Sequence, residues 1–162
     1  MENRTILALD QATITSGYSI YRNGKIKKSG LIKCNAKQHS ERYLQFYNQL
    51  NEIIGHYNVT DIVAEDIYPG EKIGYLRLGE IRGVLLLVAA CKKIPVNFLY
   101  PSEHKENLTG NRYANKLETM EYLKEMGYKF ADDNVADSIS IMLCFLNNQN
   151  LPVTYPTTRH HK

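Results

Sequence analysis

Residues 4–33 read RTILALDQATITSGYSIYRNGKIKKSGLIK, and their alternation decides the fold. Residues 4–10, RTILALD, read as a strand whose apolar run 6–9 ends in Asp10. Apolar and aromatic residues then alternate on both sides of Asn23-Gly24, a dipeptide suited to the left-handed backbone of a two-residue hairpin turn. Three consecutive antiparallel strands are therefore expected over about 4–33. Further along, SERYLQFYNQLNEIIGHY (40–57) puts Tyr43, Leu44, Tyr47, Leu50 and Ile54 at helical spacing, with Ser40 as the expected cap. TDIVAED (60–66) is a short strand running into Glu65 and Asp66, and YPGEKIG is a loop. A nearly all-round apolar helix is expected over 75–92, a strand over 95–101 and a short helix over 102–109. Two more helices follow, from about 112 to Gly127 and from about 132 to 147.

The order β-β-β-α-β-α-β-α-α predicts an α/β fold. Its mixed five-stranded sheet, three antiparallel then two parallel strands, is flanked by helices. Each later strand is reached through a helical crossover, so both should run parallel to the first. One domain over 1–147 is expected, followed by an irregular, flexible tail over 148–162.

Composition narrows the class. Of 162 residues, 43% are apolar and 23% charged, which excludes a disordered chain. The longest apolar run, GVLLLVAAC at 83–91, is too short to cross a bilayer, so no membrane partner and a cytoplasmic setting are expected. Cys34, Cys91 and Cys144 share no short spacing, which argues against both a disulfide framework and a zinc knuckle. The net charge of +3 permits a nucleic-acid partner without demanding one.

Parallel sheets collect their reactive groups at the C-terminal ends of their strands, and Asp10 and Glu65 sit at two such ends. The stretch ADDNVADSIS (131–140) opens the last helix, whose Val135, Ile139, Met142, Leu143 and Leu146 would pack on the sheet. Asp137 lies at the edge of that face. Asp133, one turn earlier, and Asn134, three residues earlier, can both turn the same way, while Asp132 is better phased as a cap. Converging carboxylates repel unless a cation compensates them, and hard divalent metals take oxygen ligands, so a metal site is indicated. Taken singly, each of these acids is equally a loop-start or helix-start residue. Positive charge follows in PSEHKENLTGNRYANK (101–116), with His104, Lys105, Arg112 and Lys116 around Thr109-Gly110. Lys72, Arg77 and Arg82, interleaved with Tyr68 and Tyr75, could grip a nucleic-acid backbone and stack on a base. Surface lysines serving solubility, and Arg82 serving packing or a subunit contact, are the plainer readings.

These motifs, in this order over residues 4–147, resemble the RuvC-type Holliday junction resolvases of the RNase H-like superfamily. ALDQATITSGYSIY is similar to the family's first strand, catalytic aspartate and Gly-containing turn. VAEDIYPG resembles its second motif, YLRLGEIRGVLLLVAACKKIPV its central helix and next strand, and NVADSISI its last motif. The resemblance implies catalytic Asp10, Glu65 and Asp137, with Lys105 and Lys116 near the scissile phosphate. It also implies Tyr68 stacking at the junction core, while DNA contacts from Lys72, Arg77 and Arg112 are expected from their charge. Two Mg2+ ions per site are implied, with Mn2+ able to substitute, in a homodimer meeting a two-fold junction along its central helix. The products would be paired symmetric nicks with 5′-phosphate and 3′-hydroxyl ends. Asn134 stands where the family commonly has an aspartate, so the fourth ligand is Asp133, the favoured residue, or Asn134 itself. DQAT also replaces the usual proline-glycine pair after the first aspartate. The short chain looks more like the phage-encoded branch, which implies no obligate branch-migration partner. Alternatives are a broader branched-DNA or flap endonuclease and a catalytically impaired junction-binding protein.

Overall fold

The computed structural model describes residues 4–67 and 74–156. The observed order is β1 (Thr5–Asp10), β2 (Thr15–Arg22), β3 (Lys25–Lys33), α1 (His39–Tyr57), β4 (Asp61–Glu65), α2 (Gly74–Lys92), β5 (Val96–Leu99), α3 (Pro101–Thr109), α4 (Lys116–Glu125) and α5 (Asp133–Asn148). The five strands form one sheet in the order β3-β2-β1-β4-β5. β1–β2 and β2–β3 are antiparallel; β1–β4 and β4–β5 are parallel, as the crossovers require. Asn23 and Gly24 both take positive φ at the β2–β3 turn.

Strand β1 is buried on both faces, which is why ILAL is apolar without interruption. Leu7 and Leu9 join Ile20, Ile62 and Ala64 under α1 and α2, against Phe46, Leu50, Ile81 and Leu85. Ile6, Ala8 and Val63 face the other way, onto Ile141, Met142, Phe145 and Leu146 of α5. Each such fully buried side chain contributes about 1.5–3 kcal/mol of hydrophobic stabilisation. Strand period two then dictates the site: Asp10 follows Ala8 by two and Glu65 follows Val63 by two, so both carboxylates belong to the α5 face.

Several boundaries differ from the sequence-based expectation. Helix α1 starts at His39 after Gln38, with no side-chain cap, so Ser40 lies inside the first turn. The helix expected from 112 begins at Lys116. There Asn115 accepts the Glu118 N–H at 3.1 Å while the Glu118 carboxylate accepts the Asn115 N–H at 2.8 Å, a reciprocal cap that outweighs helix propensity in 112–115. Strand β5 stops at Leu99 because Pro101 begins α3. Residues 149–156 have no regular element, yet Leu151 and Val153 pack on the body and the Thr154 N–H donates to the Gly24 carbonyl at 2.6 Å. No helix among the described residues is long and apolar enough to cross a membrane.

Candidate active site

The register Leu9↔Ala64 makes Asp10 and Glu65 the next neighbours across the parallel β1–β4 pair. The third wall is α5, and its approach depends on Gly17. This residue lies in β2 opposite Asp10, not in a turn, and a Cβ there would fall 1.8 Å from the Asn134 carbonyl oxygen. The bare backbone at Gly17 lets the first turn of α5 rest on the sheet beside Asp10. Asp132 caps that helix, accepting the Asn134 N–H at 2.8 Å and the Asn134 side-chain Nδ2 at 2.9 Å. With its nitrogen held by Asp132, the Asn134 amide has its carbonyl oxygen as the free end.

A cavity of about 290 Å³ results, and Asp10, Glu65, Asp137, Asn134, His104, Lys105 and Lys116 line it. Asp133 does not line it. The phasing that favours Asp133 as fourth ligand is met by a different partner: its carboxylate binds Lys116 Nζ at 2.5 Å. Lys116 in turn lies 4.0 Å from Asp137. That hydrogen bond holds the Asp133 carboxyl below the usual range and raises the Lys116 ammonium.

Asp10 is pushed up from 3.8 to about 8, first by burial and then by the charges of Glu65 and Asp137, with Lys116 opposing. Burial also raises Asp137, again against Lys116. A divalent cation would let acids crowded in this way ionise together. The oxygen-only donor set of three carboxylates and one amide carbonyl fits magnesium or manganese by chemistry. Among the described residues no three acidic, histidine or cysteine side chains stand close enough to hold an ion without adjustment.

Of the remaining expected site residues, Lys105 lines the cavity, while Arg112 stays exposed with its guanidinium 6.0 Å from the Tyr113 ring. Arg77 is paired with Glu80 at 3.0 Å, and Glu80 also accepts the Tyr43 hydroxyl, which ties α2 to α1. Tyr68 and Lys72 lie outside the described residues. Arg82 is a packing residue: it pairs with Asp66 and stacks 3.7 Å above Phe98, turning Asp66 away from the cavity. His104, counted with the surface cations in the sequence, is only 1% exposed and contacts Glu65. Gln11 was not singled out; its Nε2 donates to the Glu65 main-chain oxygen at 2.6 Å and pins the end of β4. Neither residue carries a sequence signal, because each contact spans an interval far longer than any local motif.

Residues 6–145 match the family described as crossover junction endodeoxyribonuclease RuvC. Among relatives of that description, the protein of Prochlorococcus marinus (strain MIT 9301) is 27% identical over 88% of this chain and 96% of its own length. That of Chloroflexus aurantiacus (strain J-10-fl) is 30% identical over 85% and 90%. In fold the chain is similar to Thermus thermophilus RuvC in complex with Holliday junction substrate, with a TM-score of 0.76 at 17% identity over 87% of this chain and 92% of that one. It is also similar to the yeast mitochondrial Holliday junction resolvase Ydc2, with a TM-score of 0.66 at 17% identity over 91% and 80%.

Proposed function

This chain belongs to the RuvC family of crossover junction endodeoxyribonucleases, and we propose on that footing that it resolves four-way DNA junctions by paired, symmetric nicks. It is a structure-specific endonuclease acting on branched DNA, in a family of divalent-metal-dependent nucleases. The observation that carries the reading is the meeting of Asp10, Glu65 and Asp137 with Lys116 in one cavity of a chain that matches the family almost throughout.

Two magnesium ions, for which manganese would substitute, would be held by Asp10, Glu65, Asp137 and the Asn134 carbonyl, supplying acidity to an attacking water and charge to the departing oxygen. The water oxygen bonds to phosphorus as the bond to the 3′ oxygen breaks, leaving a 5′-phosphate and a 3′-hydroxyl. Lys116 offers its ammonium to the phosphate oxygens on which negative charge builds, and Lys105 adds a second positive charge in the same cavity. Asp133 holds Lys116 at the mouth of the cavity rather than joining the ligand set. Arg112, Tyr68 and Lys72 extend the DNA contact beyond the reacting phosphate.

The acting unit is a homodimer. Along α2, Leu76, Gly79, Gly83, Leu86, Leu87 and Ala90 form an exposed stripe at helical spacing, with Leu76 64% and Leu87 59% exposed. The two glycines meet nothing within 4 Å, so the stripe is flat enough for a second copy. A two-fold dimer places one site on each of two strands, matching the symmetry of the junction. The enzyme acts in the cytoplasm of a bacterial or phage-infected cell and needs no branch-migration partner. The test is a panel of four-way, three-way, flap and linear duplex DNA with Mg2+. Cleavage confined to the four-way junction supports the proposal, and equal cleavage of flaps and three-way DNA replaces it with general debranching.

A further inference from the structure

None of the chemistry above uses His104, although it is the most deeply buried titratable side chain at the cavity. It sits on α3, is 1% exposed, and engages both ring nitrogens. Nδ1 lies 2.8 Å from the Ser140 hydroxyl of α5, and Nε2 lies 3.2 Å from Glu65 Oε2. Ser140 is itself fully buried, and its hydroxyl also lies 3.4 Å from the His104 carbonyl oxygen. A carboxylate oxygen accepts, so the ring carries a hydrogen on Nε2 and donates it to Glu65 Oε2, while Nδ1 meets the Ser140 hydroxyl. A bare Nε2 would set a ring lone pair against a carboxylate oxygen with no donor between them.

We propose that His104 is the positioning residue for Glu65. Its Nε2–H fixes the rotation of that carboxylate within the cavity, and Ser140 anchors the other ring nitrogen. Gln11 holds the main chain of the same residue, so Glu65 is oriented from β1 through its backbone and from α3 through its side chain. A carboxylate held in this way keeps its remaining lone pairs ready for a cation and loses little rotational freedom on binding one. His104 also immediately precedes Lys105, so one helical turn sets both the acid and a cation facing the phosphate. The inference rests on Glu65 being a metal ligand, as set out above.

The experiment compares the wild type with His104→Leu, His104→Gln and Glu65→Gln. Mn2+ binding is read by calorimetry, junction binding without divalent metal by gel shift, and cleavage as kcat and KM. His104→Leu is expected to weaken Mn2+ about 10–100-fold and to lower kcat, with junction affinity and KM unchanged. His104→Gln, whose side-chain amide can place an N–H where Nε2 stands, recovers most of both losses. Nitrogen-15 imidazole spectra of the wild type show hydrogen on Nε2, a readout that needs no variant to fold. Unchanged Mn2+ affinity in His104→Leu, equal losses in Leu and Gln, or an Nε2 without hydrogen would each overturn the proposal. Full activity in Glu65→Gln would instead overturn the assignment of Glu65 itself.

Discussion

Removing one buried charge should make the metal-free protein more stable while abolishing its activity. In Asp10→Asn, the amide keeps the shape of the carboxyl but cannot ionise beside Glu65 and Asp137. The folded protein holds Asp10 protonated up to about 8, whereas the unfolded chain releases that proton near 3.8. Between those values the unfolded state binds fewer protons than the folded one. Stability of the wild type in EDTA therefore falls as pH rises through this window, and it is fully recovered only below the unfolded value. At about 1.4 kcal/mol per unit, the interval sets an upper bound of about 6 kcal/mol at pH 8. Rotation of the carboxylate toward water relieves part of this, leaving an expected gain of about 1–3 kcal/mol for the variant. For a chain of this size that is a rise in Tm of roughly 3–10 °C at pH 8 in EDTA, shrinking toward zero near pH 4. Excess Mg2+ should raise the Tm of the wild type and leave the variant nearly unmoved. Calorimetric melting across pH, with and without Mg2+, reads all of this. A variant no more stable than the wild type at pH 8, or an equal Mg2+ shift in both, would refute the reasoning.

Four further substitutions separate the roles. Asn134→Ala should weaken Mn2+ binding by about tenfold, while Asp133→Asn leaves it intact and lowers kcat by freeing Lys116; calorimetry beside cleavage kinetics distinguishes them. Gly17→Ala forces α5 off the sheet, since its new methyl would lie 1.8 Å from the Asn134 oxygen, and should cost about 1–3 kcal/mol in melting along with most of the cleavage. Leu87→Glu puts a charge in the exposed α2 stripe, so sedimentation should show monomers with an unchanged melting temperature and single rather than paired nicks.

Much of this was legible in the chain because the signals are local and periodic. ILAL, the Asn-Gly turn and two acidic strand ends specify a mixed sheet, and period two carries Asp10 and Glu65 to the same face. The role of Asp132 as a cap follows from phase alone. The start of α4 was also written locally, in the Asn115–Glu118 pair, but helical periodicity over 112–115 hid it. What could not be read was long-range pairing. Asp133 and Asn134 are equally well phased on α5. Only the arrival of Lys116 from α4, 17 residues earlier, turns Asp133 outward and leaves Asn134 at the cavity. His104 was counted with the surface lysines around it. Its burial follows from α3 packing on α5, which brings Ser140 and Glu65 to its two ring nitrogens. Gly17 was expected in a turn; its true constraint is a helix about 120 residues away, which local turn chemistry does not reveal.

Incubation of a supercoiled plasmid bearing an extruded four-way cruciform with the purified protein and Mg2+ tests the central claim most directly. Two coordinated nicks across the junction yield linear DNA with ligatable 5′-phosphate ends, and Asp137→Asn yields neither linear nor nicked product. Open circles without linear product from the wild type, or undiminished cleavage by Asp137→Asn, would contradict the account.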